Sequence, residues 1–369
     1  MKISVQKEEL QKKLSDIQNI VEKKNTMPIL SHFLLVAEQS GSFITATDLE
    51  TAFKEPITLE IAEEGRIAIP ARKLLEIAKE MDSSITIESA DNQWVKVKSG
   101  KSQFRLACLS HEEFPVWPTL SDAEKADAMT IEAPAFLEMI DKTVYAAGEA
   151  DTRYVLNGLL FHIKTSGELT VVGTDGHRLA LCEKSLGLSA KEEKKIILSR
   201  KSVLELKKFL ASGEHPVKLT VGKNHTLFEI DSIQFLTRLI EGTYPNYEQV
   251  LPADNDKDVL INRNVLVKAL RRVSVISRER SNAIKVELDK DIMIISASNP
   301  DMGEAKDELM VEYSGSQMAV AFNARYMLDA FSAMNAEKVI IRLKEALSPA
   351  LLLEEGKTDY RCVVMPMRL

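Results

Sequence analysis

Only three cysteines occur in the 369 residues, Cys108, Cys182 and Cys362, far apart and without CxxC spacing. That leaves no disulfide framework and no thiolate zinc site, and it fits a reducing compartment. The six histidines form no HExxH or HxH pair and have no acidic or cysteine cluster at metal-ligand spacing, so no metal is expected. Neither GxxxxGK[ST] nor GxGxxG is present, which argues against nucleotide hydrolysis, and no cofactor is expected. No apolar run approaches the roughly 18 residues of a membrane span. The polar opening MKISVQKEELQKK is unlike a signal peptide, and the expected setting is the cytoplasm. With 48 Lys+Arg against 55 Asp+Glu, the net charge of −7 excludes a uniformly basic coat for nucleic acid.

What is present is one module written three times. FITATDLE, LTVVGTDGH and MIISASNPD bring Asp48, Asp175 and Asn299 to intervals of 127 and 124 residues. RIAIPARKLLEI, KIILSRKSVLEL and AVAFNARYMLDA place Pro70, Ser199 and Asn323 at intervals of 129 and 124. QFRLACL, QFLTRLI and DYRCVVM place Phe104, Phe235 and Tyr360 at 131 and 125. Three independent markers at nearly one interval mean tandem repeats. Each unit opens with an amphipathic helix, as in 7–24, where Leu10, Leu14, Ile17 and Val21 share a face. Alternating strands follow, then a second helix starting near Pro70, Ser199 or Asn323, where proline starts a helix and Ser or Asn caps one. The spacing predicts an α+β fold: three tandem copies of a domain with two helices on a mainly antiparallel sheet. Loop-like text at 120–128 (LSDAEKADA) and 251–258 (LPADNDKD) sets domains at 1–122, 127–252 and 256–369.

Charge is segregated. Predicted helical segments 7–24, 71–82, 134–149, 200–211, 263–280 and 323–335 together carry +7, which leaves −14 for the remainder. A solvated face explains one such run; its recurrence along a tandem array asks for one surface on which all the helices lie. On helix charge alone, Arg200, Lys201, Arg271 and Arg272 are candidates for phosphate contact. The turn in VVGTDGHRLAL raises a separate question. Asp175-Gly176 is hairpin-turn chemistry, and His177 and Arg178 follow it at once. The equivalent positions elsewhere are Asp48-Leu49 and Asn299-Pro300, so the turn acid is structural. The histidine and arginine, peculiar to the second unit, mark either a solvated turn end or one distinctive site.

TDGHRLAL, RYVLNGLLF (153–161), YPNYEQVLP (244–252) and the terminal VVMPMRL (363–369) resemble the β subunit of bacterial DNA polymerase III, the sliding-clamp family, and the resemblance runs the length of the chain. It implies a non-catalytic, head-to-tail homodimeric ring with helices facing a hole that holds duplex DNA without sequence preference, present on the nucleoid during replication. It further implies that the ring tethers the replicative polymerase, the clamp loader and other polymerases and repair proteins. Lys24, Arg153 and Tyr154 join the DNA-contact candidates on this ground. The seam would pair Phe104 and Leu106 with Val275 and Ile276, and Lys73 with the Asp301 and Glu304 region. A peptide-binding cleft would comprise Leu156, Thr174, Gly176, His177, Arg178, Leu179, Pro245, Val250, Tyr326, Ser348 and the tail Val363, Val364, Met365, Pro366, Met367 and Arg368. Within it, His177 and Arg178 would donate to peptide at the rim. Met365 and Met367 would offer adaptable apolar surface, and Pro366 would end the terminal strand. Gln249 departs from the family, which often has a basic residue there. Geometry independently favours a dimer: six helices spaced about 9 Å apart close a circle only about 18 Å across, whereas twelve give about 36 Å between axes, enough for a duplex. The alternatives are a triplicated α/β enzyme with its site between domains and a ring scaffold that does not bind DNA.

Overall fold

The computed structural model describes residues 1–21, 27–89, 93–213, 215–277 and 282–368. Lys24, a DNA-contact candidate, lies outside the described residues, as do Arg278 and Arg280. Among the described residues the long helices are Lys7–Ile17, Ala71–Lys79, Ala133–Thr143, Arg200–Ser212, Arg263–Ser277 and Ala324–Ala333, two for each sequence repeat. The first is shorter than its periodicity predicts. Ile20 and Val21 both donate to the Ile17 carbonyl, at 3.0 and 3.1 Å, and this turn ends the helix. The Ala133–Thr143 helix also stops early. The Thr143 hydroxyl donates to the Met139 carbonyl at 2.7 Å, and a short 3-10 turn, Val144–Ala146, follows. The stretch 120–128 is not all loop, because Ser121 and Glu124 form a capping box on a one-turn helix, Asp122–Lys125.

Two compact units emerge, Met1–Ala133 with Glu205–Leu239, and Pro134–Leu204 with Ile240–Leu369. Among the described residues each holds one eight-stranded and one smaller sheet, all antiparallel. In the first unit the smaller sheet runs Glu60–Glu63, Lys2–Val5, Ile85–Ser89, Trp94–Ser99, Ser102–Ala107. Its eight-stranded sheet joins two repeats where Ile233–Arg238 pairs with Thr51–Pro56, Phe235 opposite Phe53. In the second unit the eight-stranded sheet joins repeats where Tyr360–Val364 pairs with Arg178–Ser185, Val363 opposite Leu179. Its four-stranded sheet begins with the edge strand Gly303–Met310. The compact units therefore cut across the sequence repeats: the second repeat supplies strands to both.

Apolar alternation fills each core. Phe53 stacks on Phe209 at 4.8 Å between ring centroids and Phe209 meets Phe235 at 5.8 Å. In the second unit Phe136 meets Phe161 edge-on at 5.9 Å. The Arg263–Ser277 helix packs on Ala324–Ala333 and buries Leu266, Ala269, Leu270 and Val273. Each unit also buries a lysine–glutamate pair. Lys13 lies 2.5 Å from Glu55, whose other oxygen has no hydrogen-bond partner, and burial pushes the Glu55 carboxyl up to about 7 despite Lys13. Lys142 lies 3.4 Å from Glu354. That carboxylate also accepts from the Asn335 and Ala336 N–H groups at 2.5 and 2.8 Å. Burial opposes its charge, but these donors and Lys142 outweigh burial and hold its pKa below the ordinary value.

Candidate functional site

The site grows from the hairpin Glu168–Thr174 and Arg178–Ser185. Thr174 Oγ1 accepts from the Gly176 N–H at 3.1 Å and donates to the Arg178 carbonyl at 2.6 Å. Asp175 Oδ1 accepts from the His177 and Arg178 N–H groups at 3.0 and 3.1 Å. Gly176 has φ +85°, and a Cβ there would fall 2.6 Å from the Arg153 guanidinium, so only glycine fits without displacement. The terminal strand seals the far side. Val363 lies opposite Leu179, and the Met365 N–H donates to the His177 carbonyl at 2.9 Å. Beyond Pro366, the Met367 N–H donates to the Ala321 carbonyl at 2.8 Å. The tail is an anchored edge, not a frayed strand end.

These elements enclose an apolar cavity of about 150 Å³. Ten of the expected cleft residues line it: Leu156, Thr174, Gly176, His177, Arg178, Leu179, Pro245, Val250, Val363 and Met365. The others lie elsewhere. Val364 points to the opposite face of its strand and is buried, as the two-residue period of a strand dictates. Ser348 sits half-buried in a turn, its N–H on the Glu345 carbonyl. Pro366, Met367 and Arg368 follow the tail past the cavity. Tyr326 lines an adjoining polar depression of about 500 Å³, which shares His177 and Arg178 with the cavity. Sequence reasoning missed three lining residues, Tyr244, Tyr247 and, in this role, Arg153. The short helix Tyr247–Val250, capped by Asn246, turns Tyr247 and Val250 to one side. Tyr247 Oη then lies 2.7 Å from His162 Nδ1, while His162 Nε2 lies 2.6 Å from Glu193. Gln249 is on the exposed side of the same turn.

Arg178 answers the question raised by the turn, though not as a rim donor. Its guanidinium reaches Asp175 at 3.0 Å, Asp329 at 2.6 Å and the Tyr145 carbonyl at 2.7 Å. It lies over Tyr326 and Tyr145 at 4.4 and 5.3 Å from the ring centroids. Burial opposes its charge, but Asp329 and Asp175 outweigh burial and raise its pKa. Arg178 thus braces the cleft wall, while His177 is exposed beside the cavity. Neither cysteine nearby is a nucleophile, since burial pushes the Cys182 and Cys362 thiols up to about 12 and about 11.

The remaining candidates separate by what holds them. Arg153 bonds Asp151 through Nε and Nη2 at 2.9 and 2.8 Å and the Asp175 carbonyl at 3.0 Å, a wall contact, while Tyr154 beside it is exposed. Arg200 pairs with Glu149 at 2.8 Å. Lys201 and Arg271 are exposed, and Arg272 reaches Asp307. Phe104 is 40% exposed on the edge strand Ser102–Ala107, so it is not core, and Leu106 is half-buried. Val275 is 60% exposed and Ile276 half-buried, while Asp301 and Glu304 are exposed. Lys73 is exposed and paired with Glu76.

Residues 1–118, 130–246 and 248–368 match the N-terminal, central and C-terminal domains of the family described as DNA polymerase III beta subunit. A beta sliding clamp from Pseudomonas putida is 36% identical over 371 residues, covering all of both chains. The crystal structure of the DNA polymerase III subunit beta from Pseudomonas aeruginosa superposes with a TM-score of 0.93 at 35% identity, again over all of both chains. A C. crescentus beta sliding clamp, solved with PEG bound to a putative beta-motif tethering region, superposes with a TM-score of 0.94 at 31% identity over all of both chains.

Proposed function

The chain belongs to the DNA polymerase III β-subunit family, the sliding clamps, non-catalytic processivity factors of DNA replication, and on that premise we propose that two copies close head-to-tail around duplex DNA and hold polymerases through the cleft beside Gly176. The observation that carries the ring is a matter of unused strand edges. Within the chain, the late strand of the second repeat (Ile233–Arg238) pairs with the strand after the first turn (Thr51–Pro56), and the late strand of the third (Tyr360–Val364) pairs with the strand after the second turn (Arg178–Ser185). The late strand of the first repeat, Ser102–Ala107, and the strand after the third turn, Gly303–Met310, remain at sheet edges. The same pairing made between two copies uses both edges and closes a C₂ ring. The edges suit each other: Phe104 and Val275 are exposed apolar groups, Arg105 with Lys96 and Lys98 lies toward one edge, and Glu304, Asp307 and Glu308 lie on the other. The helix Arg263–Ser277 brings Arg271 to the surface, which supports phosphate contact without base readout. Arg200 and Arg272 already have acidic partners, so their share in DNA binding is smaller.

Retention of the purified protein on closed circular DNA, lost once the circle is cut, tests the ring. Replacing Val275 and Ile276 by glutamate should give a folded monomer, because unpaired charge would be buried in the seam. A dimer persisting in that variant at micromolar concentration by sedimentation overturns the assignment. Binding to short open duplex should weaken steeply with added salt. The cleft takes short linear peptides of replication proteins, polymerase and clamp loader among them, through its apolar cavity and the His177 rim, and the expected setting is the bacterial cytoplasm.

A further inference from the structure

The first unit contains the same turn a second time. Thr47 Oγ1 accepts from the Leu49 N–H at 3.0 Å and donates to the Thr51 carbonyl at 2.9 Å. Asp48 Oδ1 accepts from the Glu50 and Thr51 N–H groups at 3.0 and 2.6 Å. Bond for bond this is the turn at Asp175, and beside it lies a pocket of about 70 Å³ whose apolar wall includes Ala52, Leu236 and Trp117.

Leucine occupies the position of Gly176. Leu49 has φ +74°, a left-handed backbone in which a Cβ crowds the following carbonyl, and the residue is 51% exposed where it lines the pocket. Glycine would make all four hydrogen bonds of the turn without that crowding. A strained residue with a large apolar side chain held toward solvent is unexplained by packing; the four hydrogen bonds of the turn hold the strain, and strain of this kind clusters at ligand-binding sites. Val116, also lining the pocket, is 90% exposed. The charge at the rim is inverted relative to the second unit. Glu50 stands where His177 stands and, among the described residues, is the one acidic group lining the pocket. His225, the other titratable lining group, has its pKa lowered by burial and by Arg238.

We propose that this pocket is a second peptide site, for a short linear segment that places one leucine-sized side chain beside a lysine or arginine. Leu49 and Val116 would clasp the apolar side chain against Trp117, and Glu50 would meet the cation. This occupant differs in charge from one suited to the cationic rim of the other cleft, and the proposal stands independently of ring closure.

Trp117 is one of two tryptophans, so in Trp94→Phe its fluorescence reports this pocket alone. Two synthetic peptides, acetyl-GKLLKG-amide and acetyl-GELLEG-amide, are titrated into the full-length protein. The basic peptide should change the fluorescence saturably and bind about threefold or more tighter than the acidic one, the size of a rim ion pair. Glu50→Lys should reverse that order. Leu49→Gly should weaken the basic peptide about tenfold, from the lost apolar contact, without lowering the denaturant midpoint. The absence of a saturable response, equal affinity for the two peptides, or an affinity that Leu49→Gly leaves unchanged overturns the proposal.

Discussion

The turns at 47–52 and 174–179 share one backbone and one set of hydrogen bonds, yet one is braced by a half-buried arginine and the other presents a strained leucine. Where the second copy has Gly176, His177 and Arg178, the first has Leu49, Glu50 and Thr51. The Thr and Asp that build the turn recur because the backbone amides need them; the three residues that follow are available to set what each pocket accepts. The buried lysines make the same point. Lys13 and Lys142 are 129 residues apart, one repeat interval, but only the second meets a carboxylate that backbone amides also satisfy.

The largest expected effect comes from writing the first turn into the second. Arg178→Thr leaves Asp175 and Asp329 without their shared cation and should cost about 2–3 kcal/mol, less than a fully buried pair because both acids are partly solvated; urea denaturation measures it, and cleft peptides should bind more weakly. Glu354→Ala removes the acceptor of two backbone amides and leaves Lys142 with Glu138 at 3.0 Å, with an expected loss of about 2 kcal/mol by the same denaturation. Deleting residues 365–369 removes Met365 and its bond to His177 while leaving the Tyr360–Val364 strand, so the dimer should persist and calorimetry should find polymerase peptides about tenfold weaker, roughly 1.4 kcal/mol. Leu49→Gly should raise stability by about 1 kcal/mol, because it relieves the left-handed strain; a loss instead would make Leu49 a packing residue. The last comparison separates the two lysine pairs by pH. Glu55 binds its proton more tightly folded than unfolded, so its contribution is present below its ordinary 4.5 and fades as pH rises through about 7. Glu55→Gln should flatten stability across that window and change it little at pH 5.

Much of this was legible in one dimension. Asp48, Asp175 and Asn299 fixed the repeat, and periodicity located six helices, because a helix face or a strand face is written in nearest-neighbour spacing. Most of the cleft was readable by resemblance, through TDGHRLAL and the tail. Tyr247 was not, since its place depends on a one-turn helix and on His162, 85 residues away. Nor was Arg178's role, since a cation beside a turn looks the same in sequence whether it faces a ligand or two carboxylates, and Asp329 is 151 residues distant.

By itself the sequence determined the threefold module, its antiparallel strands and paired helices, and the turn chemistry, all properties of local spacing and backbone preference. Only the tertiary structure decided which repeats share a sheet, that the Ser102–Ala107 and Gly303–Met310 strands lie at sheet edges, that Leu49 is strained and exposed, and which cations are already partnered. Those outcomes depend on long-range pairing and burial, where the free energy of a side chain is set by neighbours that the chain brings together only on folding.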